Sequence, residues 1–457
     1  MTILRPTSPG GMSRRGFHKL ALSSAAVLAG SLAWQRSVLA ADDVLAPYKT
    51  ASIDWRQAEG QTITLAGATH PWSSAIQPLL PLFTQLTGIK VESDFQSEAE
   101  FLTSLPIKLG AGSPTPDVFM FLSYGQGIGA GWLEPLEPLF ADKTLVDLAW
   151  YDEADILGAA RSFPVWHDNQ RYAFPITAES QIMFFNQPML DAKNVQLPKT
   201  FAELLTAAKA LKTDDVAGIA MRAKASGGAT AASMGFVFSH GGHMVLDGKA
   251  AFDSPQAIAA MDIYGQLLRE AGPIGVGTYD WYEVLNDFSQ GAAAIATDSS
   301  NFSSTIGDPA KSRVAGKTTF TSLVSDGTHP VTPYMSCWQA CINSKSARKK
   351  AAFLFMVWAT SMPTGLLTSA AGLATTRSSA WSSEAFKKAF GAQAAEAALN
   401  SLSTADVGPS RAVLFHPQAP QIFDAFAIAT NEIVTGGVSA KEALTRGAKK
   451  ANDAIRG

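Results

Sequence analysis

Residues 62–121 read TITLAGATHPWSSAIQPLLPLFTQLTGIKVESDFQSEAEFLTSLPIKLGAGSPTPDVFMF. Ile63-Thr64-Leu65 is a strand pattern, and Ala75 to Leu86 has helical spacing that Thr87-Gly88 ends. Ile89 to Val91 is a second strand. Ser97-Glu98-Ala99-Glu100 has the capping-box pattern that opens a helix, which Pro106 should bend or break. Pro114-Thr115-Pro116 then leads into a third strand, Val118 to Phe121. Strands and helices alternating in this way predict an α/β fold with helices on both faces of the sheet.

The alternation continues outward from this stretch. Ile182 to Phe185 reads as a strand, and Thr200-Phe201-Ala202-Glu203 as a second capping box ahead of Leu204, Leu205, Ala208 and Leu211. Asp253-Ser254-Pro255 starts a helix with proline in its first turn. Ile258, Met261, Tyr264 and Leu268 form its buried stripe, and Gly272 stops it. Ala293 to Ala296 is a small-residue strand, and Ala351 to Trp358, apolar all round, is a deeply buried helix. Ser439-Ala440-Lys441-Glu442 opens the last helix, with Leu444, Ala448, Ala451 and Ile455 on one face.

Ahead of this lies a different kind of segment. Arg14-Arg15 precedes a short apolar run, Leu20 to Ala33, and the small-residue site Val38-Leu39-Ala40. Basic region, apolar core and cleavage site make an export signal over residues 1–40. The paired arginines point to the route that carries folded proteins. The run, about 14 residues, is shorter than the roughly 17–25 that span a bilayer, which argues against a membrane anchor. Cleavage after Ala40 would leave a protein free in the periplasm, beginning with a polar, unpatterned arm over residues 41–60. The whole chain has 36 Lys+Arg against 39 Asp+Glu. Without the five basic residues of the signal the balance falls to 31 against 39, near −8. That charge gives no attraction to nucleic acid or to anionic membrane.

The two cysteines, Cys337 and Cys341, lie too far apart for a disulfide if their segment is a strand, about 13 Å; a tight turn would allow one. Folding in a reducing cytoplasm before export favours free thiols. No C-x-x-C is present, and His240-Gly241-Gly242-His243 supplies too few ligands for a metal. No metal or other cofactor is expected.

Ten short pieces in order resemble the extracellular solute-binding proteins of family 1, over nearly all of residues 61–456. Among them are Thr87-Gly88-Ile89-Lys90-Val91, Pro116-Asp117-Val118-Phe119, Gly131-Trp132-Leu133-Glu134-Pro135-Leu136, Tyr172-Ala173-Phe174-Pro175 and Phe184-Phe185-Asn186. Pro198-Lys199-Thr200-Phe201, Phe252-Asp253-Ser254-Pro255 and Phe288-Ser289-Gln290-Gly291-Ala292 continue the series. The resemblance implies a two-lobe periplasmic-binding-protein fold of type II, each lobe a mixed sheet flanked by helices, with the ligand in the cleft between lobes. It assigns residues 61–175 and 331–367 to lobe 1 and residues 176–330 and 368–457 to lobe 2. It also implies a monomer that closes round a carbohydrate or polyol and delivers it to the membrane permease of an ABC importer. Two features depart from the family: the twin-arginine signal, and His70-Pro71-Trp72 after the first strand.

A sugar or polyol offers hydroxyls and C–H faces, so carboxylates, amides, arginines and flat rings near strand ends are the candidates. His70 and Trp72 follow the first strand; Ser123, Tyr124 and Gln126 follow the third; Glu179 and Ser180 follow Pro175. Asp298 and Ser299 follow the Ala293–Ala296 strand. By the resemblance, Trp281, Trp338 and Arg377 also approach the cleft. Trp72, Tyr124, Trp281 and Trp338 read equally as core aromatics, Asp298 as a helix cap and Glu179 as a surface carboxylate. Arg222 reads as a solvated loop residue. The competing class is a secreted carbohydrate-active hydrolase using Glu179 and Asp298 as paired carboxylates; no G-x-S-x-G or H-E-x-x-H supports an alternative hydrolytic centre.

Overall fold

The computed structural model of the protein describes residues 41–164, 168–404 and 406–456; the twin-arginine segment lies outside them. The chain up to Ala51 and the chain from Ser52 onward are separate compact units. In the first, Ala41–Lys49 is a helix, where an unpatterned arm was expected. Val44, Leu45 and Tyr48 recur at helical spacing, and Lys49 in the last turn complements the helix dipole.

The second unit holds twelve strands among its described residues: β1 (Thr62–Ala68), β2 (Lys90–Gln96), β3 (Val118–Phe121), β4 (Ala173–Pro175), β5 (Glu179–Asn186), β6 (Ala217–Ala220), β7 (Val245–Leu246), β8 (Lys249–Ala250), β9 (Ala293–Ser299), β10 (Thr318–Ser322), β11 (Met335–Ser336) and β12 (Gln339–Ile342). They make two mixed sheets and a hairpin, β7-β8. The first sheet runs β2-β1-β3-β12-β4, with β1 parallel to β2 and β3 and β12 antiparallel to β3 and β4. The second runs β10-β5-β9-β6; β5 is antiparallel to β9 and β10, and β6 parallel to β9. The inner strands β3, β5 and β12 are buried along their whole length, as strands covered by helices on both faces should be.

Two crossings join the lobes. Ile176-Thr177-Ala178 leads from β4 to β5, and Cys337-Trp338 returns from β11 to β12. They are tied to each other: Ile176 N–H donates to the Trp338 carbonyl at 2.8 Å, and Trp338 N–H to the Thr177 hydroxyl at 3.1 Å. A third segment, at Ala374, accepts from Ala178 N–H at 3.0 Å. β11 falls in the range expected for lobe 1, yet it pairs with β5 of the second sheet through Met335↔Ser180 and Ser336↔Glu179. The segment Gly408–Phe415, expected in lobe 2, also lies against the helix Tyr124–Gly129 of the first lobe. A Cβ at Gly125 would stand 2.2 Å from the Phe415 carbonyl oxygen, so only glycine permits that approach. Both cysteines are free and buried. The Cys337 thiol donates to the Thr177 carbonyl at 2.8 Å, and burial pushes both thiols well above their ordinary range.

Several motifs turn out to hold the fold rather than a ligand. Asp117 is fully buried; it accepts from Thr64 N–H (2.8 Å), the Thr64 hydroxyl (2.9 Å) and the Ser346 hydroxyl (2.6 Å), fastening β1 to the chain beyond β12. His240 stacks on Phe201 at 4.9 Å, and its Nδ1 pairs with the Phe236 carbonyl at 2.9 Å. No group of three or more His, Cys, Asp or Glu among the described residues is placed to hold a metal. The helix Glu98–Gly110 continues through Pro106. The lost main-chain bond is offset by burial of Phe101, Leu105 and Leu109 on one face. The stretch Ala75–Leu86 forms three pieces, Pro71–Ile76, the 3-10 turn Gln77–Leu79 and Leu80–Thr87, ended by Gly88 at φ 73°. Among the described residues no single helix is long and apolar enough to cross a membrane.

Candidate functional site

Four side chains stand two residues beyond a strand's carboxyl end: His70 after β1, Glu98 after β2, Ser123 after β3 and Arg222 after β6. Ligands of open α/β sheets bind at this edge. Glu179 and Ser180 begin β5, Asp298 and Ser299 end β9, Trp281 opens the helix Trp281–Gln290, and Trp338 lies in the returning crossing. All of these line one cavity of about 130 Å³ between the lobes. A water needs about 10–15 Å³ on this measure, so the cavity takes roughly ten atoms of ligand.

Arg222 and Asp298 form its floor. Both are buried, at 7% and 2% exposure. Arg222 Nε donates to Asp298 Oδ2 at 2.7 Å and an Arg222 terminal nitrogen to Oδ1 at 2.5 Å, a bidentate pair. The other terminal nitrogen donates to the Gly228 carbonyl at 2.8 Å. Three of five guanidinium N–H groups are thereby used, and two are left for ligand oxygens. Burial works against the charge, but Asp298, Asp280 and Glu98 outweigh it and push the Arg222 pKa further up.

Glu179 and His70 form one wall. His70 caps the helix Pro71–Ile76: its Nδ1 accepts from Trp72 N–H at 3.1 Å. The cap makes Nδ1 the acceptor and assigns the ring proton to Nε2, which stands 3.3 Å from Glu179 Oε1. Glu179 Oε2 accepts from the Ser299 hydroxyl at 2.6 Å. Burial alone would raise the Glu179 carboxyl; His70 and the hydroxyls of Ser299 and Thr177 overcome it and hold the pKa down to about 2. Oε1 nevertheless lacks a partner with hydrogen-bond geometry. Asn301, nearby, accepts from Ala374 N–H at 2.8 Å through Oδ1, while its buried Nδ2 has no partner.

Glu98 and Trp281 meet across the mouth. The Trp281 indole Nε1–H, from the second lobe, donates to Glu98 Oε2 of the first at 3.0 Å. A Cβ at Gly228 would come within 3.3 Å of Glu98 Oε1, so the glycine loop lets the lobes approach. Burial raises the Glu98 pKa, against the pull of Arg222 and His70.

The sequence-derived set is therefore split. His70, Ser123, Glu179, Ser180, Trp281, Asp298, Ser299 and Trp338 come together at the cavity. Trp72, Tyr124, Gln126 and Arg377 are not among its lining. Trp72 is packed into the first lobe at 1% exposure. Tyr124 donates its hydroxyl to the Cys337 carbonyl and packs between Phe163 and Phe415. Gln126 lies two residues further along the helix Tyr124–Gly129. Arg377, fully buried, donates to the carbonyls of Thr360 (2.8 Å) and Asp152 (2.6 Å) and lies over the Tyr151 ring, so it braces the first lobe. Arg222 corrects the sequence reading in the other direction: it is a buried cleft residue. Glu98 and Asn301 were also missed, Glu98 because its capping-box pattern accounted for it.

The carboxylate pair of the hydrolase reading does not suit a general acid. Such an acid keeps its proton near neutral pH, whereas Glu179 is held ionised and Asp298 is committed to Arg222.

Two mixed sheets flanked by helices, linked by crossing segments and enclosing one cavity between them, define a two-lobe solute-binding protein. Its residues 66–365 match the model of the bacterial extracellular solute-binding proteins, and the chain belongs to that family. Among its relatives is the erythritol/L-threitol-binding protein of Mycolicibacterium smegmatis, 28% identical over 340 residues, covering 68% of this chain and 69% of that one. A solute-binding protein from Agrobacterium radiobacter K84, solved with ribitol, matches with TM-score 0.79 and 23% identity over 87% of this chain and 99% of its own. Another from Agrobacterium vitis S4, solved with bound D-mannitol, gives TM-score 0.76 and 25% identity over the same shares.

Proposed function

We propose that the protein captures a small polyol or monosaccharide outside the cytoplasmic membrane and hands it, chemically unchanged, to the permease of an ABC importer. The observation that carries this reading is the cavity itself. It lies between the lobes, takes roughly ten ligand atoms, and is lined by a guanidinium with open N–H groups, an amide and three carboxyl groups. Relatives named for erythritol and L-threitol, or solved with ribitol or D-mannitol, support the same ligand class. The protein acts as a monomer, and residues 1–40 direct its export. Lysines in place of Arg14 and Arg15 then strand it in the cytoplasm.

A thermal-shift screen of four- to six-carbon polyols and monosaccharides tests the binding. A ligand at 100 times its Kd adds about 2.7 kcal/mol to the folded state, a clear shift. The same protein incubated with a bound ligand or with oligosaccharides should return them intact. Turnover would replace the binding reading with the hydrolase.

A further inference from the structure

The charges that face the cavity do not balance. Glu98, Glu179 and Asp298 supply three carboxyl groups, and Arg222 is the one guanidinium among the described lining residues. Asp298 matches Arg222 at 2.5 and 2.7 Å. Asp280, with Oδ1 3.9 Å from an Arg222 terminal nitrogen, adds further negative charge behind it. His70 offers its Nε2 side to Glu179 at 3.3 Å, in ion-pair range but outside hydrogen-bond geometry. Glu179 is 4% exposed, and its Oε1 has no hydrogen-bond partner. Glu98 Oε2 accepts the Trp281 indole, and its Oε1 faces the Gly228 loop.

We infer that this cleft selects by charge: it accepts neutral polyols and their primary-amine analogues and rejects the corresponding acids. The inference rests on the polyol reading and adds to it. A ligand ammonium can donate to Glu179 Oε1 and to Glu98, since a carboxyl group accepts through its oxygens and an ionised one offers acceptors alone. A ligand carboxylate would instead face two carboxylates in a poorly solvated cavity. Arg222 is already neutralised by Asp298, so no gain offsets the desolvation.

The test is calorimetric titration near neutral pH with three ligands built on one carbon chain: D-mannitol, 1-amino-1-deoxy-D-mannitol and D-mannonate. The series ribitol, its 1-amino analogue and ribonate is run in parallel. In the series whose alcohol binds, the amine binds within about tenfold of the alcohol or tighter, and the acid at least about 100-fold more weakly. Glu98→Gln keeps an acceptor for Trp281 while removing one charge. It lowers the amine-to-alcohol affinity ratio by about tenfold, and the acid gains. An acid that binds within tenfold of its alcohol, or a ratio that Glu98→Gln leaves unchanged, overturns the charge selection and leaves the polyol reading standing. If no alcohol binds in either series, the polyol reading falls, and the inference with it.

Discussion

Asp298→Ala should cost stability as well as affinity, because Asp298 spends its acceptors on Arg222 rather than on open space. The pair is bidentate at 2.5 and 2.7 Å, and both residues are more than nine-tenths buried. Removing the carboxylate leaves a guanidinium in the cavity floor with the Gly228 carbonyl and, 3.9 Å away, Asp280. Breaking a buried pair from one side costs about 3–5 kcal/mol. Arg222→Ala should do similar damage, leaving Asp298 with only the Ser299 N–H at 2.6 Å. The double variant removes both charges, so its loss should fall short of the sum by at least about 2 kcal/mol. Urea unfolding of the four proteins measures this directly. Polyol titration on the same set should show each single variant binding more than about tenfold weaker, since Arg222 is then either absent or unoriented. Additive stability losses within about 0.5 kcal/mol would refute the reasoning. They would mean that the pair is solvated or its geometry is loose.

Glu179 gives a pH-dependent prediction. Its carboxyl is held at about 2 against an ordinary 4.5. Its stabilising contribution, about 3 kcal/mol by linkage, is fully present above about pH 4.5 and fades as pH falls toward 2. The stability gap between the protein and Glu179→Gln should therefore shrink on acidification; a gap constant across that window contradicts the assignment. Trp281→Phe removes the indole N–H that bridges to Glu98 and should weaken polyol binding by about three- to tenfold, with little change in unfolding free energy. Arg377→Met should do the reverse. It should lose at least about 2 kcal/mol of stability, because the Thr360 and Asp152 carbonyls lose their donor, while the affinity of the folded protein stays the same.

The fold was legible in the sequence because its signals are local. The Gly88 stop, the Ser97 and Ser254 caps and the buried run Ala351–Trp358 each fix one element, and the order of elements leaves few topologies. The site was legible in part. A residue two places past a strand end is at the ligand edge of the sheet, and this found His70 and Ser123. The same position marks Glu98 and Arg222, yet Glu98 also fits a capping box, and a lone arginine in a loop carries no sign of burial. Their partners, Trp281 and Asp298, lie 183 and 76 residues away, and no local pattern encodes such pairings. Arg377 erred for the same reason: its three supports, at Tyr151, Asp152 and Thr360, are brought together only by the fold. Pro106 shows the other limit, tertiary burial overriding a local breaker.

The central claim is that a small polyol binds, whole and one per chain, in the cavity between the two lobes. Calorimetric titration of the protein with erythritol, ribitol, D-mannitol and maltotriose, repeated on Arg222→Ala and Glu179→Gln, tests it most directly. The account predicts one site per chain for at least one of the three polyols, no binding of maltotriose, and affinity at least about tenfold weaker in both variants. Binding of maltotriose with no response to any polyol, or polyol affinity unchanged in both folded variants, would contradict it.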